Sequence, residues 1–122
     1  MIILTNNPDV KESFEDREVL FIDGGYRDVL IAARDRIHRG DKLLTHPLMG
    51  SLKPNETPYR SIVMSGEASA LDPESLQLIE NAIAAFDKFA KATRPDRGVN
   101  TPESMLADFR LLDKTLITGG IE

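Results

Sequence analysis

The sequence predicts an α/β fold: one small domain over residues 1–122, built on a mainly parallel sheet of about four strands packed with helices. Three observations carry that expectation. Short apolar runs in the first half alternate with stretches of helical periodicity, as strand–helix–strand units require. Two later segments open with the same start signal, Asp72-Pro73-Glu74 and Thr101-Pro102-Glu103. Finally, 122 residues suffice for one hydrophobic core but would starve two.

Ile2–Thr5, "IILT", is apolar and rich in β-branched residues, and Asn6-Asn7-Pro8 stops it. A short helix then starts at Pro8, whose missing N–H costs nothing in a first turn, with Asn7 as its N-cap. Arg17–Asp23, "REVLFID", reads as the second strand, punctuated by Gly24-Gly25. Tyr26, Val29, Leu30, Ala33 and Ile37 fall at helical spacing, which predicts an amphipathic helix over 26–39 with Gly40 as its stop. Asp41–Thr45, "DKLLT", leads into the third strand, over 42–46, with Leu44 in the core; Arg60–Ser65, "RSIVMS", is the fourth. Pro47, Pro54 and Pro58 forbid a crossover helix between these last two, so the fourth strand is open to either direction.

The rest is helical. Leu76, Ile79, Ala82, Ile83, Phe86, Phe89 and Ala90 mark one face of a helix beginning at Pro73. After a break at "RPDRGVN" (94–100), Leu106, Phe109, Leu112 and Leu116 form the stripe expected to be buried on a last helix over 102–118, closed by Gly119-Gly120. Both helices are expected to pack onto the sheet.

Composition removes whole classes of function. A formal net charge of −5 argues against nucleic acid, whose binders carry a basic excess. The chain has no cysteine, which excludes thiol nucleophiles, thiolate zinc and iron–sulfur ligation. No stretch approaches the ~18 apolar residues of a membrane span, and the apolar start is too short for a signal peptide, so a cytoplasmic protein is expected. His38 and His46 lack metal-ligand spacing, so neither a metal nor a cofactor is expected.

In a parallel sheet, ligands bind where loops leave the carboxyl ends of the strands. Those loops are "TNNP", "DGGY" and the long connection "THPLMGSLKPNETPY". They supply the candidate site: Asn6, Asn7, Gly24, Gly25, His46, Ser51, Lys53, Asn55, Thr57 and Tyr59. Helix N-termini nearby favour an anionic group. Each residue also has a plainer role, Asn6 and Asn7 as turn and cap, the glycines as a turn, and His46 as a local hydrogen-bonding group. No nucleophile elbow or metalloprotease motif accompanies them.

The opening "LTNNP" and the block "DVLIAARDRIHRGDKLLTHPLMGSLKPNETPYRSI" resemble the GrdX proteins. These are small proteins encoded beside selenium-dependent glycine, sarcosine or betaine reductases of anaerobic bacteria. The resemblance implies that genomic context and not an activity, with no catalytic residues to carry over; reductase subunits or a small anionic ligand are the candidate partners. Two functions therefore compete. One is an accessory or assembly protein acting through protein contacts, with the long connection as a docking surface. The other is a small-molecule binder or modest enzyme, with the same connection as a lid, in which His46 does acid–base work while Lys53 or Arg60 holds a carboxylate or phosphate.

Overall fold

The computed structural model describes residues 1–48, 57–92 and 102–121. In chain order these form β1 (Ile2–Thr5), α1 (Pro8–Ser13), β2 (Val19–Phe21), α2 (Tyr26–His38), β3 (Ser61–Met64), α3 (Pro73–Ala92) and α4 (Glu103–Ile121). The expected cap at Thr101, the break at 94–100 and the side chains of Phe89 and Ala90 lie outside the described residues.

The expected mainly parallel, four-stranded sheet is corrected. Among the described residues the sheet has three strands in the order β2-β1-β3, and it is mixed. Ile3, Leu4 and Thr5 pair in parallel with Val19, Leu20 and Phe21. On its other side β1 runs antiparallel to β3, with Ile3 opposite Val63 and Thr5 opposite Ser61. The segment expected as a third strand makes only an isolated bridge, Leu43 to Met64. The cause lies in its hydrogen bonds. The amides of Leu44 and Thr45 both donate to Val63 O, at 2.9 and 3.3 Å, so two residues oppose one. The Thr45 hydroxyl, not a carbonyl, then accepts from Val63 N at 3.0 Å. A side chain thus ends the ladder just before Pro47, which has no amide to continue it. Leu44 consequently stands 55% exposed, outside the core where the sequence reading put it.

Alternation along the strands divides the core into two layers. Ile2, Leu4, Ile62 and Met64 face Tyr26, Val29, Leu30, Ala33 and Ile37 of α2, together with Ile79, Ala82 and Ile83 of α3. Ile3 and Val63 face the other way, onto Val10 of α1 and Ile117 of α4. Both faces are covered, which is why β1 and β3 read as unbroken apolar runs. The helix α3 packs chiefly against α2 and shares the first core layer with it.

Local chemistry sets the helix starts. Asn7 Oδ1 accepts from Asp9 N at 3.0 Å, with Pro8 in the first turn. Asp72 accepts from both Ser75 N and Ser75 Oγ, at 3.2 and 2.6 Å. At α2, Gly25 N donates to the Asp28 carboxylate at 2.8 Å, and a side chain on Gly24 would run into that carboxylate.

The last helix departs most from its sequence pattern. It continues through Gly119 and Gly120 to Ile121, and Gly119 faces open space, so no packing force stops it there. Its buried residues are Asp113 and Ile117, while Leu112 is 39% exposed. Leu106, Phe109 and Leu116 are half-buried. The expected leucine stripe therefore sits on the shoulder of the interface. Four residues of helix rise about 6 Å, close to the ~6.6 Å of two strand residues, so one helical turn matches one side-chain repeat of the sheet. Ile117 accordingly meets Ile3 and Val63, and Asp113 meets Thr5 and Ser61.

Candidate functional site

The carboxyl end of β1 gathers a cluster of buried polar groups, among them Thr5, Asn6, Asn7, Ser61 and Asp113. Because β3 is antiparallel, its first residue, Ser61, arrives at the same edge. Two consecutive asparagines then reach to opposite sides. Asn6 donates through Nδ2 to Gly24 O (3.1 Å) and Pro58 O (2.8 Å), while its Oδ1 accepts from Arg60 N (2.9 Å). It ties the turn before α2 to the segment entering β3. Asn7 caps α1 through Oδ1, and its Nδ2 donates to Arg110 O (2.9 Å) and Asp113 Oδ2 (3.1 Å). It ties the same junction to α4.

Between them lies a buried hydroxyl relay. Asp113 Oδ1 accepts from Ser61 N at 3.0 Å, and its Oδ2 accepts from Ser61 Oγ at 2.7 Å. A carboxylate only accepts, so the Ser61 hydroxyl proton points at Asp113. The 2.6 Å contact between Thr5 Oγ1 and Ser61 Oγ must then carry the Thr5 proton. Thr5 Oγ1 in turn accepts from Asn7 N at 3.0 Å. Every proton in the chain has one direction. Ser61 is fully buried, so its hydroxyl is built into the fold and not presented to a substrate.

The rim is aromatic and basic. Arg110, three residues before Asp113 on α4, donates to Tyr59 Oη at 3.0 Å and pairs with Glu103 and, at 3.6 Å, with Asp9. Its hydrogen bond to Glu103, and then that to Tyr59, raise the Arg110 pKa above its ordinary value. Beneath, the Arg60 guanidinium carbon lies 5.0 Å from the centre of the Tyr26 ring, which stacks on Phe86. Burial pushes the Tyr26 hydroxyl pKa up, against the pull of the Arg60 charge.

The predicted site residues are distributed unevenly over this frame. Asn6 and Gly24 meet directly, and Thr57 and Tyr59 belong to the segment Asn6 holds, with Thr57 Oγ1 accepting from Tyr59 N at 3.2 Å. Asn7 turns to α4 instead. Gly25 serves as the α2 cap. His46 is exposed, and its Nδ1 accepts from Leu48 N at 3.0 Å, which places the neutral ring's proton on Nε2. Ser51, Lys53 and Asn55 lie outside the described residues. Sequence reasoning missed Thr5, Ser61, Arg110 and Asp113. The available signal was Thr5 and Ser61, hydroxyls in strands otherwise apolar and buried, which demand a polar partner.

A family model described as GrdX-like protein matches residues 2–122. The chain belongs to the GrdX-like family. The match spans both halves of the GrdX-like chain, so the α4 residues that complete the relay fall inside it. No curated protein and no solved structure matches this GrdX-like chain. Among its described residues no group of His, Asp and Glu is arranged to hold a metal ion, and no helix is long and apolar enough to cross a membrane.

Proposed function

We propose that this GrdX-like protein is an accessory protein of a glycine, sarcosine or betaine reductase system and works by contact with other proteins. The observation that carries the reading is the commitment of the edge to internal partners. Asn6 and Asn7 spend both amide protons and their carbonyl oxygens within the chain, and Thr5, Ser61 and Asp113 close on one another. What faces outward beside that edge suits a protein partner. Tyr59, half-buried at that edge, and its partner Arg110 are residue types favoured at the centres of interfaces, and Leu111, on the outer side of the same helix, is 61% exposed. Family membership supplies the system in which to look.

The test is recovery of the tagged protein, expressed at its native level, from a host that makes such a reductase. Enrichment of reductase subunits over a tagged control, abolished by Leu111→Glu with Tyr59→Ala, supports the proposal. Equal recovery of subunits with the control refutes it. The second reading, an enzyme binding a small carboxylate or phosphate near His46, draws on the exposure of that ring. It requires that His46→Ala abolish a measurable turnover.

A further inference from the structure

A cavity of about 140 Å³ opens where α2 ends, away from the asparagine junction, lined by Arg36, Arg39, Asp41, Gly66 and Ala68. We propose that it binds a small oxyanion, a carboxylate or a phosphate, between the guanidinium groups of Arg36 and Arg39. The two arginines stand three residues apart, hence on one side of the helix end. Gly40 stops the helix at φ +100°, and the returning chain donates from Asp41 N to Arg36 O at 3.0 Å. That turn brings the Asp41 side chain under Arg36.

Asp41 is 3% exposed and saturated. It accepts from Arg36 Nε (2.8 Å), Lys42 N (2.8 Å), Gly66 N (2.9 Å) and Ser65 Oγ. Its negative charge is thereby spent on the floor of the cavity, and it grips Arg36 by one edge only. The Nη edge of Arg36 and the whole guanidinium of Arg39 have no hydrogen-bond or ion-pair partner among the described residues. Two cations face one neutralised carboxylate, leaving a net positive charge and a forked donor set that matches an oxyanion.

The end of a helix would ordinarily repel an anion through its free carbonyls. Here Arg36 O accepts from Arg39 N and Asp41 N, Ile37 O accepts from Gly40 N, and Gly40 O accepts from Ser69 N. Volume bounds the ligand. The cavity holds a few water-sized groups, well below the roughly 300 Å³ at which pockets for drug-sized molecules begin. A nucleotide is too large; a free oxyanion, or the carboxylate or phosphate end of a small metabolite, is the right size.

The test is an amide-resolved NMR titration of the whole protein at constant ionic strength, with inorganic phosphate and with acetate, against chloride as control. Saturable shifts at Gly66 and Ala68 are expected with at least one oxyanion, and which one saturates assigns the class. Arg39→Gln, which keeps the stem of an exposed side chain, should weaken that affinity about tenfold or more, as loss of a charged hydrogen bond does. Arg17→Gln, an exposed arginine elsewhere, should leave it unchanged. Failure of both oxyanions to saturate, an equal response to chloride, or undiminished affinity in Arg39→Gln would overturn the proposal.

Discussion

Replacing Asp113 with Ala removes the acceptor for three buried donors: Ser61 N, Ser61 Oγ and one proton of Asn7 Nδ2. The Ser61 hydroxyl can rotate, but the backbone amide and the Asn7 amide proton are fixed by the fold. Two orphaned donors at about 1–3 kcal/mol each put the loss near 2–6 kcal/mol, a large share of the ~5–15 kcal/mol that holds a domain together. Asp113→Asn is more lenient. Its Oδ1 still accepts from Ser61 N, and its amide can donate to a rotated Ser61 hydroxyl, but it meets the Asn7 amide donor to donor. One conflict costs about 1–3 kcal/mol. Thr115→Ala, two residues on and exposed, should stay within about 0.5 kcal/mol of the parent. Urea unfolding read from both midpoint and slope measures all three. If Asp113→Ala lost less than about 1 kcal/mol, the relay would be an incidental contact and the anchoring of α4 would have to be sought elsewhere.

Further outcomes follow from the same frame. Ile62→Ala, fully buried, should cost about 2–5 kcal/mol in chemical unfolding, and Leu44→Ala, more than half exposed, under ~1 kcal/mol; equal losses would place 42–46 back in the core. Gly40→Ala should destabilise by more than about 1 kcal/mol, because the site has positive φ and the added carbon would fall on the Ser69 carbonyl; a neutral result by thermal unfolding would contradict that geometry. Burial alone would raise the Asp41 pKa, but hydrogen bonds from Ser65, Arg36 and the Lys42 and Gly66 amides outweigh it and hold it below the ordinary 3.8. A depressed folded value means its stabilisation is complete above the unfolded pKa and is lost as pH falls below about 4 through the folded one. Urea midpoints between about pH 5 and 2.5 should fall less steeply in Asp41→Asn than in the parent, and parallel curves would refute the assignment.

Legibility in the sequence followed the range of the forces involved. The starts of α1 and α3 and the whole stripe of α2 could be read, because caps, first-turn prolines and helical periodicity act within a few residues. The segment 42–46 could not, since its fate is decided by a Thr45 hydroxyl against an amide eighteen residues away. Periodicity also misassigned α4, where hydrophobicity selects Leu112 and the fold selects Asp113. No pattern of apolar residues can mark a buried carboxylate, whose reason lies in two strand hydroxyls. The meeting of Asn6, Gly24 and the 57–60 segment at the end of β1 was legible, but the residues that lock that junction come from α4.

The asparagine junction has a consequence for how the chain acquires its shape during synthesis. The side chains of Asn6 and Asn7 bond to groups of Pro58, Arg60, Arg110 and Asp113 that are synthesised up to 106 residues after them. The strand they terminate is the centre of the sheet, with neighbours on both sides. A nascent chain short of α4 therefore carries a central strand whose end has nothing to close on, and closing contacts of such separation raise the kinetic barrier to folding. The helix α4 acts as the latch that converts an unfinished sheet into the native domain, so the fold is complete only once α4 has been made.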